Sequence, residues 1–281
     1  MKKIGFVDYY LSEWHANNYP VWFKAVNEQL GTDYEVAYAW GELEVSPIDG
    51  VTSAQWCEKF GAELCSSLEE LCEKSDYIMI LAPSDPDKHL PLARTVLKYG
   101  KPTFIDKTFA PNSAEANEMF ELGEKYGTKF FSTSALRCAT ELEKFQNIKN
   151  LMVTGGGSNL PEYIVHIVEI AVSVLQDPIT RVKMESWSQM RICHAETASG
   201  KEARLMYMPG FGYSVAGEDM DGKCRHKMIT SAFFNVLMEK IIRFFDSNGE
   251  YPFDPAQTRE VMRVRDAILK ADAQQNVWIE V

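Results

Sequence analysis

The stretch DYIMILAPSDPDKHLPLARTVLKYGKPTFIDK, residues 76–107, decides the fold. Tyr77–Leu81 is a continuous apolar run bounded by Pro83, as a strand covered on both faces reads. Pro86–Tyr99 has helical spacing and ends at Gly100, and Pro102–Ile105 is a second strand. A strand, a helix and a strand with short connections make a parallel βαβ unit. Towards the N-terminus the same grammar repeats. Ile4–Val7 is a short strand, Tyr19–Leu30 a helix closed by Gly31, Tyr34–Trp40 a strand, and Ser53–Phe60 a helix ending at Gly61. Ser67, followed three residues later by Glu70, predicts a capping box at the start of Leu68–Glu73. On the other side Ser113–Tyr126 is a helix ended by Gly127, and Lys129–Phe131 is a strand. Right-handed crossovers then place helices on both faces of a doubly wound, parallel, Rossmann-like sheet over residues 1–131.

From residue 132 the grammar changes. Asn159-Leu160-Pro161 opens a helix running to about Leu175, with the proline suited to the first turn. Four strand-like stretches follow without helices between them, Arg181–Ser188, Met190–Ala195, Ala203–Met208 and Gly212–Val215, which implies antiparallel pairing. Two long helices, Met228–Asp246 and Pro255–Asn276, precede a terminal VWIEV strand. Residues 132–281 are thus expected to form an α+β domain with an open, mostly antiparallel sheet. The apolar strands of that open face need covering, which suggests a homo-oligomer.

The 281 residues carry 29 Lys and Arg against 40 Asp and Glu, a net charge of −11. Without a basic cluster the chain lacks the electrostatic term behind most nucleic-acid affinity, so no nucleic-acid partner is expected. The longest apolar stretch, Tyr163–Leu175, is broken by His166 and Glu169 and falls short of the ~20 residues that cross a bilayer. No membrane association is expected, and the absence of a signal-peptide pattern in MKKIGFV points to the cytoplasm. Six cysteines, without CxxC spacing or a Cys/His quartet, read as reduced thiols with no metal.

In an open α/β sheet ligands sit beyond the carboxyl ends of the strands. The relevant loops follow Val7, Trp40, Leu81 and Ile105. A dinucleotide-binding first loop carries G-x-G-x-x-G, but this one reads IGFVDYYLSEWHANNYP, with Asp8 where a pyrophosphate would be repelled. Beyond Leu81, His89 opens the next helix, either as a solvated residue or as part of a site. Asp106-Lys107-Thr108 places a lysine at a strand tip, where it could orient a ribose or a substrate hydroxyl. In the second domain Glu162, His166 and Glu169 recur at helical spacing on one face of an otherwise apolar helix. A histidine with a carboxylate one turn before it is a plausible general acid/base, and a satisfied core histidine is the plain alternative.

The stretch from His89 to Arg137 resembles the glucose–fructose oxidoreductase / inositol dehydrogenase (Gfo/Idh/MocA) family of NAD(P)-dependent sugar dehydrogenases. Pro83 with His89, set one residue farther apart than in that family's P-x-x-x-x-H loop, and then Asp106-Lys107-Thr108, resemble that loop and the family's E-K-P strand end, with Asp for Glu and Thr for Pro. TGGGSNLPEYIVHIVEIAVSVL resembles its glycine-rich turn and D-x-x-x-H helix, so that Glu162 and His166 take the Asp and His places. Aligning His15 with the histidine after the family's first loop turns its glycines into Val7, Tyr9 and Ser12. The segment between Arg137 and Gly155 is also shorter than usual in the family.

The resemblance implies NAD or NADP as cofactor, with Asp8, Tyr9, Ser12, Glu42, Ala82, Pro83, His89, Asp106 and Lys107 lining it. It also implies a sugar, polyol or related hydroxy compound as substrate. Lys107 and His166 would flank the reacting carbinol from the two domains, with Glu162 orienting the histidine. The alternative is a cofactor-free relative, a binding or regulatory protein in which the VDYYLSEWH loop fills the pyrophosphate space with its own side chains, Tyr9, Tyr10 and Trp14.

Overall fold

The computed structural model describes residues Met1–Val281, which divide into two compact units: Met1–Thr133 with Phe234–Asp254, and Ser134–Phe233 with Pro255–Val281. The first unit runs β1 (Lys2–Asp8), α1 (Trp14–Leu30), β2 (Tyr34–Gly41), α2 (Ser53–Phe60), β3 (Glu63–Leu64), α3 (Leu68–Lys74), β4 (Tyr77–Ile80), α4 (His89–Val96), β5 (Thr103–Ile105), α5 (Ser113–Tyr126) and β6 (Phe130–Phe131). Its six strands are all parallel, in the order β3-β2-β1-β4-β5-β6. The central strands are apolar throughout because helices cover both faces: Ile4, Phe6, Val7, Ile78, Met79 and Ile80 are buried.

Local chemistry moves several element ends from where periodicity puts them. α1 begins at Trp14 rather than Tyr19, because the Glu13 carboxylate caps it, and the helix continues through Pro20. The helix expected over Pro86–Tyr99 is α4 flanked by two short 3₁₀ turns. At α3 only half of the expected capping box forms. Ser67 Oγ accepts from Glu70 N at 3.1 Å, but the Glu70 carboxylate accepts from Ser66 N at 2.7 Å. The complete box caps α2, between Thr52 and Gln55.

The second unit contains β7 (Ile148–Gly155), α6 (Leu160–Leu175), β8 (Ile179–Trp187), β9 (Met190–Thr197), β10 (Glu202–Tyr207), β11 (Ser214–Asp219) and β12 (Cys224–Met228). After α7 (Phe233–Asp246) come α8 (Pro255–Gln274) and β13 (Ile279–Glu280). The seven strands are ordered β12-β11-β7-β10-β9-β8-β13. Only β7 and β10 pair in parallel, which makes the sheet mixed and mostly antiparallel. Two of these strands, β7 and β12, are not among those read from the sequence. α6 and α8 bury one apolar core with the sheet through Ile164, Ile167, Val168, Val264 and Ile268, against Val153, Val182 and Leu205.

The expected boundary at residue 131 assigns everything after it to the second domain, whereas Phe234–Asp254 packs in the first unit. The reason is aromatic burial late in α7. Phe245 stacks on Tyr77 at 4.6 Å, Phe244 meets Phe131 edge-on at 4.9 Å, and Tyr34 donates to Asp246 Oδ1 at 2.7 Å. No helix is long and apolar enough to cross a membrane.

Candidate active site

The strand order reverses between β1 and β4, so the crevice beyond their carboxyl ends is where this architecture binds ligands. Asp8 ends β1 there and is buried. Its Oδ1 accepts from Tyr9 N at 2.7 Å and from Ala82 N at 3.0 Å, bridging the two strand ends, while Oδ2 has no hydrogen-bond partner. Burial, then the charge of Glu13, push the Asp8 carboxyl well above the usual carboxylate range. Glu13 is also buried. Its Oε2 accepts from His15 N at 2.7 Å and its Oε1 from Ala16 N, so a side chain of the protein satisfies the first free amides of α1. Burial raises the Glu13 carboxyl too.

The intervening loop is pinned by the segment after β2. Glu42 N donates to Asp8 O at 3.0 Å and Leu43 N to Tyr9 O at 2.8 Å. Ser12 Oγ donates to Asp49 Oδ2 at 2.8 Å, and Ser46 Oγ to the Ser12 carbonyl at 3.0 Å.

A carboxyl raised by burial holds a proton in the native state at a pH where the unfolded chain has lost it. Its contribution to stability therefore declines as pH rises from the unfolded value to the native one. Asp8→Asn keeps the accepting oxygen and turns the orphan oxygen into an amide. It is expected to raise Tm at pH 7 by about 2–4 °C, roughly 1 kcal/mol. The gain should shrink towards pH 4, as the wild-type carboxyl takes up its proton. Thermal melts across that range check this, and an unchanged or lower Tm at pH 7 counts against it.

At the end of β5, Asp106 is buried and central. Its Oδ2 is paired with His15 Nδ1 and accepts from Tyr19 OH at 3.2 Å, and its Oδ1 accepts from Lys107 N at 2.7 Å. Burial alone would raise this carboxyl, but His15 and Lys107 hold it below its ordinary value. The Lys107 side chain is buried as well, and its ammonium donates to the Pro83 carbonyl at 3.1 Å, tying the β5 end to the β4 loop. The Lys107–Thr108 peptide is cis.

Two residues expected to line a cofactor, His89 and Glu42, have partners within the protein. His89 is fully buried, not solvated, with Nδ1 3.0 Å from Phe109 O and Nε2 on Leu81 O. It clamps the β4 loop, and burial lowers its pKa. Glu42 pairs with Lys88 at 2.8 Å, and the same ammonium lies 4.1 Å from the Tyr9 ring centroid. Of the three aromatic residues expected to fill the loop, Tyr10 is buried and Trp14 is 55% exposed, and it is Glu13 that occupies the helix start. Residue types offered no signal for Glu13, because glutamate is not a favoured N-cap.

In the second unit His166 lies on α6, with Nδ1 2.6 Å from Ser134 Oγ. Glu162, one turn earlier on the same helix, accepts from the Asn159 amide at 3.1 Å beside the helix cap. Ser134 N in turn donates to Glu169 Oε1 at 3.2 Å, and Glu169 Oε2 lies 3.4 Å from Arg137, with both side chains buried. The glycine-rich turn before α6 leaves no room for side chains. A Cβ on Gly156 would come within 2.2 Å of Met208 O, and one on Gly157 within 2.0 Å of the Tyr163 ring. Tyr213 and Tyr207 donate to the Gly156 and Gly157 carbonyls at 2.9 and 2.8 Å. No group of three or more His, Cys, Asp or Glu side chains is placed to hold a metal.

A doubly wound parallel sheet with a charged cluster at its switch point, followed by a mixed-sheet unit, defines a Rossmann-type two-unit protein. Residues 44–134 match the model of the GFO_IDH_MocA family, described as an oxidoreductase family with an NAD-binding Rossmann fold. Solved structures share its fold over nearly the whole length. GenD2 from gentamicin A biosynthesis, in complex with NAD, superposes with a TM-score of 0.80 at 12% identity, covering 100% of this chain and 97% of that one. The dehydrogenase MviM from Clostridium difficile gives 0.76 at 13%, covering 96% and 99%. UDP-N-acetylglucosamine 3-dehydrogenase GnnA from Acidithiobacillus ferrooxidans gives 0.73 at 11%, covering 96% and 97%. No curated protein matches the sequence.

Proposed function

We propose that this protein is a nicotinamide-dinucleotide-dependent oxidoreductase acting on a hydroxyl-bearing carbon of a sugar, polyol or related compound. The observation that supports this reading is Lys107 at the carboxyl end of β5, inside the segment that matches an NAD-binding family: its ammonium donates to the Pro83 carbonyl and its main-chain amide to Asp106, which His15 and Tyr19 hold. The crevice also offers what a dinucleotide needs. The amides of Tyr9, Ala82, His15 and Ala16 already donate to carboxyl oxygens, although those oxygens belong to Asp8 and Glu13.

When bound, the dinucleotide would supply the hydride acceptor. Ala82, Pro83 and Lys107 are the residues to hold its nicotinamide end. The Lys107 ammonium steadies the oxygen as it becomes an alkoxide. His166 takes the hydroxyl proton at Nε2, with Ser134 at Nδ1 in the orienting role expected of Glu162. NAD and NADP are alternatives, since Glu42, expected to line the cofactor, is paired with Lys88.

A second reading, a cofactor-free relative, draws on the two carboxylates that fill the switch point. Titrating the protein with NADH and NADPH, by nicotinamide fluorescence and calorimetry, separates the two. Saturable binding in the micromolar range or weaker is expected. Sub-micromolar affinity would show that Asp8 and Glu13 do not compete, and no binding of either nucleotide would leave the cofactor-free reading. The open face of the second sheet, with Met152 and Trp187 exposed at 40% and 64%, is proposed as the contact with a second copy of the chain.

A further inference from the structure

Two carboxylates in the first unit hold four backbone amides at the place where a dinucleotide-binding sheet receives phosphate. Asp8 takes Tyr9 N and Ala82 N across the β1–β4 switch point, and Glu13 takes His15 N and Ala16 N at the start of α1. In Rossmann-type sheets the amides at the first turn and helix start are the donors to the pyrophosphate. Both side chains are at least nine-tenths buried, and Asp8 Oδ2 is left without a partner. An unpartnered carboxylate oxygen beside a second buried carboxylate is costly, and a fold keeps such an arrangement only where something else compensates. We propose that Asp8 and Glu13 are a built-in surrogate for a diphosphate, and that a dinucleotide enters the site only by displacing Glu13 from the amides of α1.

Glu13 is the displaceable member. Asp8 is anchored at the end of a central strand, between two amides that belong to different strand ends. Glu13 sits in a loop whose ties are side-chain and main-chain bonds to the segment 42–49. The exchange is a competition of one anion for another at the same donors, so removing the resident carboxylate strengthens binding of the incoming one. The inference rests on the dinucleotide reading above, and the test keeps the two apart.

Wild type, Glu13→Gln and Glu13→Ala are titrated calorimetrically with NADH and, separately, with ADP, which carries a diphosphate and no nicotinamide. Far-UV circular dichroism and Tm verify the fold, and if the alanine variant fails to fold, the near-isosteric glutamine variant carries the test. The expected result is affinity roughly tenfold higher in Glu13→Ala for both nucleotides, with a smaller gain in Glu13→Gln, whose amide oxygen still accepts. Equal affinity in all three proteins overturns the surrogate and leaves the cofactor reading standing. Tighter ADP binding with no NADH binding in any protein keeps the surrogate and removes the oxidoreductase reading. No binding of either nucleotide to any variant overturns both.

Discussion

Alanine at His166 is expected to reduce turnover by roughly 10²–10⁴, the range lost when a general acid/base is removed. In the proposed role the ring must be oriented, and it is. Ser134 Oγ lies 2.6 Å from its Nδ1, and the Tyr163 and Tyr213 rings flank it at centroid distances of 5.7 and 5.8 Å, the latter edge-on. A hydroxyl hydrogen donated to Nδ1 leaves the proton of a neutral ring on Nε2, and oxidation of an alcohol needs the opposite tautomer. The Ser134 hydroxyl must therefore accept from Nδ1 in the competent state, which a freely rotating hydroxyl can do. Ser134→Ala should consequently lower turnover less than His166→Ala and displace the pH–rate profile, since it alters the proton-carrying ring without removing it. Cofactor affinity should stay nearly unchanged in both variants. Steady-state kinetics with a hydroxy compound that reduces the nicotinamide reads the effect, and unaltered turnover in His166→Ala would eliminate the role.

The largest expected loss of stability lies one residue contact further out. Arg137 and Glu169 form an ion pair with both side chains 4% exposed, and Arg137 also donates to Gln257 Oε1. Removing one partner of such a pair leaves the other charge buried, at a cost of about 3–5 kcal/mol. Arg137→Ala should therefore lower Tm by roughly 10 °C in a protein of this size. Replacing both members with apolar residues of similar volume, Arg137→Met with Glu169→Leu, should recover much of that loss, because no orphaned charge remains. Since Glu169 also accepts from Ser134 N at 3.2 Å, the double variant should regain stability but, if the proposed role of His166 holds, not the turnover assigned to the Ser134–His166 pair. A single variant as stable as wild type would show that the pair carries no net charge penalty.

Whatever depends on neighbours in sequence was legible in the chain. The apolar runs at Ile4–Val7 and Tyr77–Leu81, and the glycines that close helices at Gly31, Gly61, Gly100 and Gly127, are local signals, and the parallel order of the first sheet follows from them. So do the place of Lys107 at a strand end and the polar stripe of Glu162, His166 and Glu169 along α6. β7 escaped notice because its alternating IKNLMVTG pattern runs directly into the glycine turn. β12 escaped notice because its exposed CRHKM text is that of a charged edge, which a sheet uses to discourage further pairing.

The partners of the site residues are another matter. His15 and Asp106 stand 91 positions apart, Asp8 and Ala82 stand 74 apart, and Ser134 and His166 stand 32 apart. Spacing along one helix nominated Glu162 as the companion of His166, since four residues bring two side chains to the same face. Which hydroxyl actually meets the ring depends on where the loop after β6 is brought, and only packing decides that. The same holds for α7, whose residues read as part of the second domain until Phe244 and Phe245 find Tyr34, Tyr77 and Phe131. The missing glycines could be read directly from VDYYLSEWH, and with them the loss of the usual pyrophosphate loop. That the Asp8 carboxyl finds its second donor in Ala82 N, at the end of β4, is decided only in three dimensions, because that amide comes from 74 residues away and meets Asp8 only once the sheet has formed.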